Sequence, residues 1–322
     1  MKGILKRSPQ QRGILNPQFS ELSANNSSIL KCPNGKKFAV CLVHDVDVIY
    51  PSLSDIFYSS FRYMKKGSIN DGFKMFFTSF SKNLNPFFNF EKVIELERKY
   101  GATSGFYFAV LNKGEKGYNY NISDLACELK NIRENGWEVG FLGSQNPLCD
   151  LKDIVSRKMK LEDVLRDKVV GYGSPYCYFS TPETWKLLDL AGFEYATAFV
   201  DPGSHLGGSR CSPFWVHDIG KNEICIIVLP LNIQDCNIPS SFANANSSDI
   251  DIEKSWACIK QLIDQMSECS GVLTLYFSSA VMIGEGLEFY ERILSYCSKK
   301  NSWMTSGKEV MEWCGFHSIF NG

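Results

Sequence analysis

The sequence predicts an α/β protein whose strands run parallel, most simply as a barrel. Its first apolar run, residues 38–43, does not alternate between polar and apolar side chains, as is typical of a strand buried on both faces. Short apolar runs and amphipathic segments then take turns along the chain, which is the pattern of repeated β-α units. At 322 residues the chain is long enough to bury a full core.

The predicted elements begin with a strand at 37–44 and end with a helix at 307–314. Helices are predicted where apolar residues recur at helical spacing and a glycine follows, as at 91–100 before Gly101. The other predicted strands are 104–110, 137–142, 169–171, 194–199, 224–229 and 272–277, and the other helices are 123–135, 151–165, 181–191, 287–298 and one starting at Ile252. No linker interrupts this series, so we expect a single domain over 37–322.

Two segments differ from this alternation. Residues 1–36 are rich in Ser, Asn, Gln and Pro and predict an irregular N-terminal lead-in. Residues 50–88 are aromatic and basic, and Phe57, Phe61 and Met64 fall on one helical face. We expect an aromatic-rich helical insertion at about 50–88 that packs on the core, with a membrane-surface patch as the alternative.

The composition predicts an ordinary globular protein without a strong charge bias. Hydrophobic residues make up 44% of the chain, charged residues 21%, and the formal net charge is -1. This balance predicts no nucleic-acid partner, and no apolar stretch has the length of a membrane span. The 12 cysteines form no CxxC pair and the basic N-terminus has no apolar signal region, which favours a reduced, cytoplasmic protein.

The tetrad His44-Asp45-Val46-Asp47, hereafter the HDVD tetrad, is the strongest functional signal in the chain. It closes the first predicted strand, and the loops after parallel strands line the open end of a barrel. In Asp-x-Asp on an extended segment the two carboxylates point to the same side, as a metal ligand and a neighbouring base require. A helix cap or a turn with solvated acids would explain the same residues.

Further short segments follow the HDVD tetrad in a fixed order. They are 85–90, 101–108, 136–144, 181–195, 210–214, 229–235 and 303–306. Together they resemble the polysaccharide deacetylase family (carbohydrate esterase family 4, the NodB homology domain), in the bacterial branch found with surface-polysaccharide genes. The resemblance covers nearly everything from Phe38 to Trp313 and implies a distorted parallel (β/α) barrel.

The resemblance also implies roles for individual residues. In the family one Asp and two His hold a divalent metal, a second Asp takes a proton from the metal-bound water, and a late His protonates the leaving amine of an N-acetylated sugar. Asp45 corresponds to the catalytic base and Asp47 to the metal-binding carboxylate. Tyr176, Arg210 and Asp235 are the implied substrate-binding residues.

Most of the remaining machinery is absent from this sequence. The two metal-binding His positions hold Leu142 and Asn146, the position of the Arg that orients the base holds Gly173, and the late acid position holds Ser278. An expected Asp is replaced by Ala196. Leucine offers no donor atom, and an amide carbonyl is a poor substitute for imidazole toward a transition metal.

The sequence therefore predicts a catalytically degenerate polysaccharide-deacetylase-like protein, with no cofactor, that still binds a glycan or polysaccharide precursor. The first alternative is an active carbohydrate N-deacetylase or hydrolase that uses Asp45 and Asp47. It would hold zinc or another divalent metal only with relocated ligands such as His205 or His217. The second alternative is a non-catalytic partner-binding protein. The oligomeric state stays open.

Overall fold

The computed structural model describes residues 32–50, 56–57, 60–61, 76–77, 85–143, 150–174, 183–198, 211–216, 226–235 and 249–320. Within these ranges strands β1 to β9 are Phe38–Val46, Gly105–Ala109, Glu138–Leu142, Gly171–Gly173, Tyr195–Ala198, Phe214–Val216, Ile226–Gln234, Val272–Ser278 and Ser302–Thr305. Helices α1 to α7 are Phe90–Lys99, Ala126–Glu134, Leu151–Leu165, Glu183–Leu190, Asp249–Cys269, Glu285–Lys299 and Gly307–Phe320. Short 3-10 turns lie at Pro33–Gly35 and Ile122–Leu125.

Seven parallel strands close into a barrel. They follow the order β1-β2-β3-β4-β5-β7-β8, and β8 pairs with β1 to complete the ring. The partner of β1 changes along its length, because Phe38 to Cys41 pair with β9 while Val43 to Val46 pair with β2. Strand β6 lies antiparallel to β7. The distorted parallel (β/α) barrel predicted from the sequence is confirmed.

Two apolar clusters lie on opposite sides of the barrel wall. The residues of β1 alternate between the two clusters. Phe38, Val40 and Leu42 belong to the cluster under the helices, and Ala39 and Cys41 belong to the other. The second cluster contains tyrosines of β2 and β5, strands that are not neighbours, whose hydroxyls nevertheless meet. This cluster is therefore the interior of the barrel.

The observed elements differ from the predicted ones mainly at their ends. The first strand continues to Val46, the strand predicted at 224–229 continues to Gln234, and the helix predicted at 123–135 begins with a 3-10 turn. Strands β6 and β9 were not predicted. The lead-in 1–31 and most of 51–84 lie outside the described residues. None of the helices in the described ranges is both long enough and apolar enough to cross a membrane.

Candidate functional site at the carboxyl end of the barrel

Three residues singled out by the sequence meet at the carboxyl end of the barrel strands. Asp45, near the end of β1, pairs in register with Ser278 at the end of β8. Asp235 directly follows β7, and its Oδ2 accepts a hydrogen bond from the backbone N–H of Ser278 at 2.9 Å. The tight ladder between β1 and β8 thus brings Asp45, Ser278 and Asp235 to one end of the barrel.

The turn that follows β1 is held in place by Asn119 and Tyr120. The Asn119 side-chain amide donates to the backbone oxygen of Asp47 at 2.6 Å, and its Oδ1 accepts from the N–H of Ile49 at 2.8 Å. The Tyr120 hydroxyl donates to the backbone oxygen of Val46 at 2.6 Å. These contacts fix the direction of the chain at Asp47, which is half-buried, whereas Asp45 is buried.

The charges of Asp45 and Asp47 both act on the buried Tyr120 hydroxyl. Burial raises the pKa of the Tyr120 hydroxyl well above its usual value, and the negative charges of Asp47 and Asp45 raise it further. The phenol therefore stays neutral at physiological pH and acts as a hydrogen-bond donor. Asn119 and Tyr120 could not be predicted as parts of the site, because nothing in their local sequence links them to a turn some 70 residues earlier.

His44 does not belong to the open end of the barrel, although it is part of the HDVD tetrad. Its Nε2 lies 2.7 Å from Glu97 Oε1, and its Nδ1 lies 3.3 Å from the backbone oxygen of Phe277. Successive side chains of a strand point to opposite faces, so Asp45 faces the interior while His44 faces the helices. His44 is consequently a buried structural histidine that ties β1 to α1.

The position of the first metal-binding histidine is part of the apolar interior. Leu142 ends β3, is only 2% exposed, and belongs to the interior cluster with Tyr107 and Ala109. Within the described residues, no group of three His, Cys, Asp or Glu side chains could hold a metal ion. The described residues therefore do not fit the three-ligand centre of the deacetylases, and no metal-dependent step is assigned to them.

Five of the residues considered from the sequence lie outside the described residues. They are Asn146, Tyr176, His205, Arg210 and His217. Their contribution to the site stays a prediction.

The position of the orienting arginine has no room for any side chain. A Cβ atom added to Gly173 would lie 2.4 Å from Cδ2 of Tyr107 and 2.9 Å from the hydroxyl of Tyr276. On the other side of the same ring, a Cβ added to Gly140 would lie 2.0 Å from Cδ1 of Tyr107. Tyr107 pairs in register with Asp45, and its ring lies across β3 and β4, where it fills the space that side chains at positions 140 and 173 would need.

A chain of hydroxyls runs from this ring to the other end of the barrel. The Tyr107 and Tyr195 hydroxyls share a hydrogen bond, and Tyr195 donates to Oε1 of Glu138. The second oxygen of Glu138 accepts from the N–H of Lys308 at 2.9 Å. Burial raises the pKa of Glu138, and the hydrogen bonds from Tyr195 and Lys308 oppose that effect. Within the described residues, the barrel interior around Tyr107 is therefore filled by packed side chains.

Comparisons with known proteins define the class of fold. No family model matches the chain, and no curated protein matches it. A Mycobacterium smegmatis protein described as a polysaccharide deacetylase has a TM-score of 0.59 at 16% identity, covering 87% of this chain and 91% of its own. A Pseudomonas aeruginosa PAO1 protein with the same description has a TM-score of 0.58 at 14% identity, over 90% and 94% of the two chains.

A third similar structure is Puue allantoinase, with a TM-score of 0.60 at 12% identity over 88% of this chain and 91% of that one. Identities this low show the fold alone. The chain has the fold of the polysaccharide deacetylases, as its sequence motifs predict.

Proposed function

We propose that this chain is a catalytically degenerate polysaccharide-deacetylase-like protein. It binds a glycan or polysaccharide precursor at the carboxyl end of its barrel and takes part in surface-polysaccharide metabolism. The observation that carries the proposal is the Tyr107 ring, which occupies the space that a side chain at position 173, the position of the family's orienting arginine, would need. A side chain packed into that space cannot coexist with the family's catalytic arrangement, because an interior this dense leaves no room for both.

The substitutions at the other catalytic positions support the loss of metal-dependent deacetylation. Leu142 supplies no donor atom, so Asp47 lacks the first of the two histidines with which the family's metal is held. Ser278 stands at the position of the general acid, and a serine hydroxyl does not release a proton near neutral pH. A relocated residue could compensate for one lost catalytic group. Here a metal ligand, the general acid and the orienting arginine are all replaced, which favours a change of function.

The retained carboxylates favour a glycan as the ligand. Asp45, Asp47 and Asp235 remain at one end of the barrel, where the ladder between β1 and β8 and the Ser278 hydrogen bond place them. Ionised carboxylates only accept hydrogen bonds, and the hydroxyl groups of sugars are suitable donors. Asp47 is half-buried and thus accessible to such a ligand.

Binding measurements on matched variants test the proposal. Purified protein is applied to an array of N-acetylated and deacetylated oligosaccharides, and the best ligand is then titrated by calorimetry. We expect Asp47→Asn to weaken binding about tenfold, the loss of one charge-assisted hydrogen bond. The control is Asp163→Asn. Asp163 is exposed near the C-terminal end of α3. In a parallel barrel each such helix ends at the amino end of the strands, so Asp163 lies at the other end of the barrel from the HDVD tetrad.

The same proteins distinguish the alternatives. Glycan binding that is equally strong in the Asp47→Asn and wild-type proteins contradicts a site at the HDVD tetrad, and no glycan binding at all favours a partner-binding protein. Release of acetate from N-acetylated oligosaccharides, abolished both by a chelator and by Asp45→Asn, would instead establish an active deacetylase with relocated ligands.

A further inference from the structure

Two cysteines from separate parts of the chain meet at the amino end of β8. Cys269 ends α5 and is exposed, and Cys211 lies just before β6 and is half-buried. The site is separated from the HDVD tetrad by the length of β8, because Asp45 pairs with Ser278 at the carboxyl end of that strand. No step of the proposed function uses either thiol.

Gly271 is the residue that allows the two side chains to approach. A Cβ added to Gly271 would lie 2.6 Å from Cβ of Cys211 and 3.1 Å from Sγ of Cys269. Both cysteine side chains therefore lie next to the Cβ position of residue 271, and any side chain at that position would push them apart. The distance from the Cys211 Cβ to the Cys269 sulfur is at most the sum of these two values.

Backbone hydrogen bonds hold both cysteines in this position. The N–H of Val272 donates to the backbone oxygen of Cys211 at 2.7 Å, which fixes Cys211 beside the start of β8. The N–H of Gly271 donates to the oxygen of Met266 at 3.1 Å, and this bond closes the end of α5 around Cys269. Two cysteines anchored to adjacent backbone groups have the proximity that a disulfide demands.

We propose that Cys211 and Cys269 form a disulfide bond when the protein is exposed to a small oxidised disulfide such as glutathione disulfide. The Cys269 thiolate attacks one sulfur of glutathione disulfide, and one glutathione leaves as a thiolate that takes up a proton. The Cys211 thiolate then attacks Sγ of Cys269 in the mixed disulfide and releases the second glutathione. Two protein thiols are oxidised, and one glutathione disulfide is reduced to two glutathione molecules.

The bond would act as a structural link and not as a rapid sensor. Although the residue is exposed, partial desolvation of its thiol, with a smaller contribution from the Cys211 thiol, raises the pKa of Cys269 to about 11. Little thiolate is therefore present at neutral pH, and oxidation is slow. Once formed, the bond closes a loop that contains β6, β7 and α5 and restricts the unfolded chain. In a reducing compartment the same pair stays as two thiols.

The test is to map disulfides in the full chain after oxidation with glutathione disulfide. Free thiols are alkylated, and the protein is digested with trypsin without reduction. Cleavage after Arg210 and Lys221 gives a peptide whose only cysteine is Cys211, and cleavage after Lys260 and Arg292 gives one whose only cysteine is Cys269. We expect the two peptides to be joined, and the thermal midpoint of the oxidised protein to rise by roughly 5 °C over the reduced protein.

Three variants make the result specific. Cys211→Ser and Cys269→Ser should each abolish the joined peptide and the rise in midpoint. Cys258→Ser should leave both unchanged, because Cys258 is exposed on the same helix but lies about 16 Å from Cys269 along its axis. The inference is overturned if Cys269 is recovered only as a mixed disulfide with glutathione, stays alkylated, or is joined to another cysteine.

Discussion

The carboxylate of Glu97 is fully buried, yet it is surrounded by donors from four other side chains. Its Oε2 accepts from the Ser104 hydroxyl at 2.8 Å and from the Trp137 indole, and its Oε1 accepts from the Tyr290 hydroxyl at 2.7 Å. The fourth neighbour is His44, at 2.7 Å. A buried carboxylate is tolerated when its lone pairs are satisfied in this way, and the satisfied group links β1 to the helices that cover it.

Removal of this carboxylate should be costly. We expect Glu97→Ala to lower the free energy of unfolding by about 3 kcal/mol, since it leaves several buried donors without an acceptor. Glu95→Ala, at an exposed position of the same helix, should change it by less than about 0.5 kcal/mol. Urea unfolding followed by circular dichroism measures both values. A cost for Glu97→Ala no larger than that of the control would contradict the structural role of His44 and its partners.

The contact between Tyr107 and the glycines of β3 and β4 can also be tested by substitution. Gly140→Ala places a methyl group into the Tyr107 ring and should destabilise the protein by about 2 kcal/mol or more. In a Tyr107→Leu background the added methyl should cost much less, because the ring carbons it meets are gone. A double-mutant cycle in urea gives the coupling energy directly. If the unfolding free-energy changes of the two substitutions simply add, the ring does not fill this space.

At the scale of secondary structure elements, the sequence predicts strands best where burial leaves the clearest pattern. The core of β1 was predicted because it is a continuous apolar run that packs on both faces, and β3 and β8 were predicted because most of their residues are apolar. Strands β6 and β9 contain three and four residues, and such short segments show no period. Their pairing depends on β7 and β1, which local sequence does not report.

Local sequence also leaves part of the candidate site undetermined. The motif order located Asp45, Leu142, Gly173 and Ser278, and alternation along β1 was a signal from which the outward direction of His44 could have been predicted. From the sequence alone, Gly173 indicates only that the arginine expected at this position is absent. That a tyrosine from another strand fills its place depends on the packing of three strands, which no single segment determines.

Helix α3 is tied to the loop after β2 by an ion pair whose pH dependence is predictable. Arg157 donates to both carboxylate oxygens of Glu115 at 2.7 Å and to the backbone oxygen of Val110 at 2.8 Å. The hydrogen bonds from Arg157 lower the pKa of Glu115 to about 2. A lowered carboxyl pKa stabilises the folded protein above the unfolded value of 4.5, and this contribution is lost as the pH falls toward about 2.

Replacement of Glu115 should therefore have an effect that depends on pH. We expect Glu115→Gln to destabilise the protein by on the order of 1 kcal/mol at neutral pH, and the difference from wild type to shrink as the pH falls from about 4.5 to about 2. Glu134→Gln is the control, since Glu134 and Lys130 form an exposed pair 3.8 Å apart. Thermal unfolding over this pH range measures both, and a difference that does not vary with pH would contradict the assignment.

At the scale of the whole molecule, a barrel of the deacetylase type holds an interior filled by large side chains. The ring of parallel strands still brings Asp45, Ser278 and Asp235 to one end, as the deacetylase fold requires. The interior beneath them is filled by Tyr107, Tyr195 and other large side chains. Such an interior is compatible with the fold, because total volume and polarity pattern decide stability, whereas catalysis depends on a few fixed positions.

Metal content is the measurement that separates a degenerate site from a relocated one. With Leu142 in place of a donor, we expect elemental analysis of purified protein to find no stoichiometric zinc, before or after treatment with a chelator. Leu142→His combined with Asn146→His should restore zinc binding through the two imidazoles and Asp47. Zinc that binds only the folded form should raise the thermal midpoint, and the stabilisation should grow with the logarithm of the zinc concentration relative to the dissociation constant.

The restored variant should nevertheless not deacetylate N-acetylated oligosaccharides, because Gly173 and Ser278 still replace the orienting arginine and the acid. Gly173→Arg cannot simply be added, since its side chain would enter the Tyr107 ring.

Tight zinc binding by the unaltered protein would contradict the degenerate site and assign the ligand role to other residues, with His205 and His217 the first to replace by alanine. Zinc that binds the double variant but not the Asp47→Asn version of it would place the metal at the HDVD tetrad.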